Sequence, residues 1–195
     1  MFKINLLALS LCVVLLTGCK QPDFAPNISA QVRTKILSQM GNWQAKGRAA
    51  IRSKEQGHNV SMDWQQTGQN YNLYFYGPLG AGWVRIIGKP GHVKLTTSEG
   101  KSYEADKPEN LVYEHLGWNL PFANLVYWLR GLPTPDSIAN IKTIDQYNQL
   151  QTLEQDGWKI EYVSYRFYDN ITLPERINLS NRDLKLKLII QNWKH

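Results

Sequence analysis

Cys19 is the residue whose surroundings most narrow its chemistry. It follows Leu16-Thr17-Gly18 at the end of an apolar run from Leu6 to Leu16, broken only by Ser10 and Cys12, with Lys3 as a single positive charge in front. Such a run is too short to span a bilayer as a helix and has the build of a secretory signal peptide. Two small residues, Thr17 and Gly18, directly precede the thiol. The other side chains offer less. His58, His92, His115 and His195 are scattered, with no pair at the helical spacing of a zinc protease. No serine sits in a G-x-S-x-G elbow, so covalent acyl chemistry lacks its usual nucleophile. Asp63, Glu104 and Asp106 could pair as acid and base, but 16 scattered acidic residues always offer some pair. Catalytic and metal sites are therefore not expected.

The stretch Leu16-Thr17-Gly18-Cys19 resembles the bacterial lipobox. The resemblance implies cleavage before Cys19, with residues 1–18 as signal peptide and acyl chains on Cys19. Lys20, standing where an aspartate retains lipoproteins in the inner membrane, implies export to the outer one. Cys12 then leaves with the signal and Cys19 is consumed by lipid, so the mature fold has neither a disulfide nor a free thiol. The remaining 177 residues suit one domain with a sizeable core. They carry 21 basic and 16 acidic side chains, a net charge of +5 that suits anionic partners or membrane surfaces. Nucleic acid is excluded as a partner by the exported location.

Residues 19–28, with Pro22 and Pro26, read as a tether, and 29–195 as a single domain. Ser29 could cap a helix over 30–40 in which Val32, Ile36, Leu37 and Met40 form one stripe. That stripe faces the domain's own core or a membrane. From Trp43 the period is two: Ala45, Gly47, Ala49 and Ile51 alternate with polar residues, as do Val60, Met62 and Trp64. The pattern repeats in 71–76, 83–87 and 93–97, with Glu99-Gly100 as a turn into Tyr103. Pro108 opens a helix with Leu111, Val112, His115 and Leu116 on one face, where His115 reads as a core histidine. Asn124 could cap another presenting Leu125, Trp128, Leu129 and Leu132. Strands resume at 158–167, 177–179 and 184–190. The order predicts a mainly β fold: a strongly curved antiparallel sheet, an incomplete barrel, with a few helices over its concave face enclosing an apolar cavity. Cavity candidates are Trp64, Leu73, Phe75, Ile86, Trp128, Leu129 and Leu132, for each of which plain core packing is the alternative. Arg48 and Arg130 could meet an acidic partner at its mouth. Gly77-Pro78-Leu79-Gly80-Ala81-Gly82 reads as a glycine-hinged loop whose leucine has no core to enter, or as a turn with Leu79 folded back.

Several pieces in register, Trp64 to Gln69, Gly77-Pro78-Leu79-Gly80, Tyr103-Glu104-Ala105-Asp106, Leu116-Gly117 with Leu120-Pro121, Trp128 to Pro133 and Leu184 to Leu188, resemble the LolB family of outer-membrane lipoprotein receptors. The tether does not match. The resemblance implies a half-open barrel whose cavity takes the acyl chains of lipoproteins from the periplasmic carrier LolA and releases them into outer-membrane lipid. It also implies a monomer without cofactor, facing the periplasm, with Pro78, Leu79 and Gly80 on a loop that enters the membrane. A structural lipoprotein scaffolding an assembly complex, and an envelope lipid hydrolase, are the competing functions.

Overall fold

The structure, a computed structural model, describes residues 28–54, 56–78 and 82–195. The expected signal peptide, Cys19 and the tether up to residue 27 lie outside the described residues, as do Leu79 and Gly80. The first half of the chain runs α1 (Ala30–Gln39), β1 (Asn42–Ser53), β2 (Gly57–Thr67), β3 (Asn70–Tyr76), β4 (Trp83–Lys89), β5 (His92–Thr97) and β6 (Ser102–Ala105). The second half runs α2 (Pro108–Leu116), α3 (Phe122–Trp128), β7 (Asn140–Ile144), β8 (Leu150–Gln155), β9 (Trp158–Tyr168), β10 (Ile171–Ser180) and β11 (Leu184–Lys194).

All eleven strands join one antiparallel sheet in the order β6-β5-β4-β3-β2-β1-β11-β10-β9-β8-β7. The sheet is not closed, because β6 and β7 form its two edges. Its centre is the pairing of β1 with β11, which slips register between Lys46 and Gly47. There the two backbones approach so closely that a Cβ on Gly47 would overlap the Ile189 carbonyl oxygen. Bulges of this kind bend a strand and raise its twist. On β1, Trp43, Ala45, Gly47, Ala49 and Ile51 are buried, while Lys46, Arg48 and Arg52 face solvent. β11 repeats the rule with Leu184, Leu186, Leu188 and Ile190 buried against Lys185, Lys187 and Ile189 exposed. One face of the sheet thus meets the core and the other meets water.

The helices differ from the sequence reading in three places. In α1, Ser29 Oγ accepts from the Val32 amide, as expected of a cap. The expected stripe is split, however: Leu37 is buried while Val32 and Ile36 are 47% and 39% exposed, and Arg33 turns inward in their place. A carbonyl rewards that turn, since Arg33 Nη2 donates to Thr172 O at 2.7 Å and the guanidinium lies over the Tyr165 ring. In α2, His115 is exposed rather than core, and stacks on Tyr103 with ring centroids 3.7 Å apart. α3 begins at Phe122, capped by Pro121 and not by Asn124, whose amide instead donates to Asp156 Oδ2 at 2.6 Å. Two strands, β7 and β8, were not expected, and β10 starts six residues earlier than the pattern 177–179 implied.

A candidate acyl-binding interior under the helical cover

α3 is the element that gives the concave face a lid. Its apolar residues recur at three and four positions, so Phe122, Leu125 and Leu129 share one side. Phe122 packs on Trp64 of β2 at 6.0 Å, and Trp128 packs on Trp158 of β9 at 6.2 Å. Three strands lie between β2 and β9 in the sheet order. One seven-residue helix, about 10 Å long, reaches both, so the sheet curls around it.

Between α3 and strands β1, β2, β3 and β11 lies an apolar seam lined by Ala49, Ile51, Met62, Trp64, Leu73, Phe75, Leu120, Phe122, Leu125, Leu129, Leu186 and Leu188. Its free space is about 20 Å³, room for about one water, whereas ligand clefts run from about 300 to 1,000 Å³. The interior is therefore closed by its own side chains. Trp64, Leu73, Phe75 and Leu129 line this seam; Ile86, Trp128 and Leu132 are buried elsewhere in the core. Sequence reading missed the contributions of β1 and β11, although the alternation of Ala49 and Ile51 and of Leu186 and Leu188 carried the signal.

The polar atoms of the large aromatics are withdrawn from this interior. Trp64 Nε1 donates to Gln66 Oε1 at 3.0 Å, and Gln66 in turn donates to Gly68 O. Trp128 Nε1 donates to Gln155 Oε1 at 2.9 Å, and Gln155 Nε2 donates to Thr134 O at 2.8 Å. Buried glutamines thus satisfy the indoles at the margins, which leaves the seam hydrocarbon. Tyr162 Oη donates to Trp128 O at 2.9 Å, and burial raises its pKa well above the ordinary range, so it stays a neutral donor.

Arg130, expected at the mouth, is 5% exposed and faces no partner rim. Its Nη1 donates to Leu37 O at 2.8 Å and Met40 O at 3.0 Å, and its Nε donates to Val126 O. The guanidinium clasps the C-terminus of α1, where carbonyls lack helical partners and the helix dipole favours a cation. Desolvation lowers its pKa, but from a value so high that the charge persists. Arg48 is exposed on the convex face, away from the seam.

A separate groove of about 740 Å³ lies on the surface between the β2–β3 and β4–β5 turns, the segment 106–109 and α3. Trp64 and Phe122 line both spaces, so this packed ring pair is the wall the groove shares with the seam. Tyr71 forms one wall, and its ring occupies the room left by Gly88, where a Cβ would collide with it. Among the described residues no three His, Cys, Asp or Glu side chains converge as a metal site would require. No helix of the described residues is long and apolar enough to cross a membrane.

The family model for outer membrane lipoprotein LolB matches residues 41–193. The outer-membrane lipoprotein LolB of Pseudomonas syringae pv. syringae is 39% identical over 201 aligned positions, covering 100% of this chain and 97% of its own. That of Pseudomonas fluorescens strain Pf0-1 is 41% identical, with 81% of this chain and 77% of its own covered. Among solved structures, a LolA superfamily protein from Nitrosomonas europaea superposes with a TM-score of 0.54 at 9% identity, over 86% of this chain and 93% of that one. A putative outer membrane lipoprotein-sorting protein domain from Vibrio parahaemolyticus gives 0.54 at 11%, over 85% and 89%. At that identity these two speak for the fold alone. The family match and the curated relatives speak for more: this chain belongs to the LolB family of outer-membrane lipoproteins.

Proposed function

We propose that this protein receives acylated lipoproteins from the carrier LolA, holds their acyl chains between α3 and the concave face, and releases them into the inner leaflet of the outer membrane. The observation that supports this reading is a hydrocarbon-lined interior under a short helix, separated from a ligand-sized groove only by the Trp64 and Phe122 rings that line both. A methylene moved from water to such a surface is worth about 0.8 kcal/mol, so one exposed long acyl chain costs on the order of 10 kcal/mol. Transfer therefore goes from cavity to cavity, downhill in affinity. The protein binds and does not catalyse. Its seam is filled at rest, so cargo enters as the cover lifts and acyl carbon replaces side-chain contacts.

In this reading residues 1–18 are removed, acyl chains on Cys19 anchor the protein facing the periplasm, 19–28 act as tether and 29–195 as one monomeric binding domain. Leu79, flanked by Pro78 and Gly80, enters the acyl boundary during release. Burying one leucine there contributes about 1.5 to 3 kcal/mol, enough to orient a tethered domain but not to anchor it.

The test incubates the mature chain carrying Cys19→Ala with LolA loaded with a lipoprotein. Formation of a complex with the acylated cargo is expected, because the interior and not the anchor does the accepting. If no cargo leaves LolA, the receptor reading fails. Leu79→Glu is expected to load normally and to slow transfer into liposomes, since a carboxylate resists leaving water; equal transfer rates remove Leu79 from the release step.

A further inference from the structure

The convex face of the sheet, opposite the seam, carries a second surface. Cross-strand register places Arg176 of β10, Ile189 of β11, Arg48 of β1, Ser61 of β2, Tyr76 of β3 and Trp83 of β4 in one continuous row. Every side chain in it points away from the core. Arg48 and Arg176 are exposed, Ile189 is 44% and Tyr76 39% exposed, and Trp83 is half-buried. Tyr74 packs on both Tyr76 and Trp83, with centroids 5.5 and 5.6 Å away, and so holds the aromatic end rigid. Lys187 and Lys185 extend the basic end on the next outward positions of β11.

Charge on this face is unbalanced. Among the described residues, neither the Arg48 nor the Arg176 side chain has a hydrogen bond or ion pair. The carboxylates on neighbouring rows are already matched: Asp63 with Lys46, Glu161 with Lys159, Glu175 with Arg166, Asp183 with Lys54. Two arginines without side-chain partners therefore share one row with an exposed isoleucine, an exposed tyrosine and a half-buried tryptophan. A bilayer surface accepts both kinds, since phosphodiester headgroups attract the cations and the interfacial zone takes Tyr and Trp rings.

We propose that this row is a docking surface for anionic phospholipid, laying the convex face of the sheet on the membrane that holds the protein's anchor. The chemistry recognised is the headgroup phosphate together with the shallow acyl boundary. The surface needs only the outer-membrane location, not lipoprotein transfer, so an assay without cargo separates the two.

The mature chain carrying Cys19→Ala is mixed with vesicles of phosphatidylcholine alone, or of phosphatidylcholine and phosphatidylglycerol at two to one, and sedimented. Binding to the anionic vesicles is expected, and weaker binding to the neutral ones. A cation near an anionic surface is worth about fivefold in affinity, so Arg48→Gln with Arg176→Gln is expected to weaken anionic-vesicle binding by roughly twentyfold. Tyr76→Ser weakens it by several-fold, and Lys101→Gln, on the β5–β6 turn, leaves it unchanged. All four positions are exposed, so unchanged melting temperatures certify the fold. Equal binding of the double variant and the unsubstituted protein overturns the proposal. So does a double variant that accepts cargo slowly from LolA yet binds vesicles normally, because the row would then be a protein interface.

Discussion

The two ends of the helical cover are held by different forces. At the C-terminal end of α3, backbone and side chains are tied by buried hydrogen bonds: Trp128 to Gln155 and Tyr162, Arg130 to α1, and Thr134 to Gln155. At the N-terminal end, α2 and the turn into α3 rest on apolar contact from Leu111, Val112, Trp118, Leu120 and Phe122. Their polar links there are exposed, as in the 3.4 Å bond from the Ala123 amide to Glu109. Buried directional bonds fix one geometry, whereas apolar contacts can slide and reform around a substitute. A lid built this way is expected to pivot at residues 128–134 and to lift at 117–122. The difference in what holds the two ends gives the proposed entry of an acyl chain a route that spares the buried hydrogen bonds.

Gln155→Leu should show the largest effect. It strands the Trp128 indole, the Thr134 amide and the Thr134 carbonyl in a buried site, at about 1–3 kcal/mol per orphaned group. We expect a loss of roughly 3–5 kcal/mol in urea unfolding, and a Trp128 fluorescence change below the unfolding transition. Arg130→Leu comes next, with a loss of about 2–3 kcal/mol from the bonds to the Leu37 and Met40 carbonyls, of which only Leu37 keeps a partner, the Met40 amide. Hydrogen exchange should then accelerate in both α1 and the end of α3; acceleration in α1 alone would show that Arg130 is not what holds the lid. Leu120→Ala, at the end held by apolar contact, should cost about 2 kcal/mol, the low end for a buried leucine because the site can collapse. It should nonetheless speed the uptake of a fluorescent fatty acid, and slower uptake would reverse the assignment of the two ends. Glu109→Ala is expected to change stability by less than about 0.5 kcal/mol, and a larger change would mean that the N-terminal end is also pinned.

The parts of the fold legible in the sequence are those with one wet face and one dry one. β1, β2 and β11 alternate cleanly because the sheet divides core from solvent there. β7 escaped notice because it is an edge, with Ile141 and Ile144 about half exposed, so its pattern carries no inward face. The start of β10 escaped for the opposite reason: Ile171, Thr172, Leu173 and Pro174 are all buried, and alternation vanishes when both faces are covered. Arginine was hard to place: Arg130 read as a surface charge and Arg33 drew no reading, yet carbonyls at 2.8 and 2.7 Å make inward positions tolerable. Such partners come from residues far away in sequence and leave no local trace. For the seam, the aromatic residues were visible, but that one short helix gathers β2 and β9 is a property of the sheet's curl.

The order of strands also sets a timetable. The middle of the sheet is closed by the first strand and the last, with Gln44 facing Lys194. Until β11 emerges, the chain holds two smaller sheets, β1 to β6 and β7 to β10, each with an inner edge of unpaired amides and carbonyls. Contacts that must wait for the full length of the chain form slowly, because loop closure comes before any reward. Such edges are open to pairing with other chains. The inner edges of β1 and β10 are therefore the last to be covered, and only the docking of the final eleven-residue strand covers them.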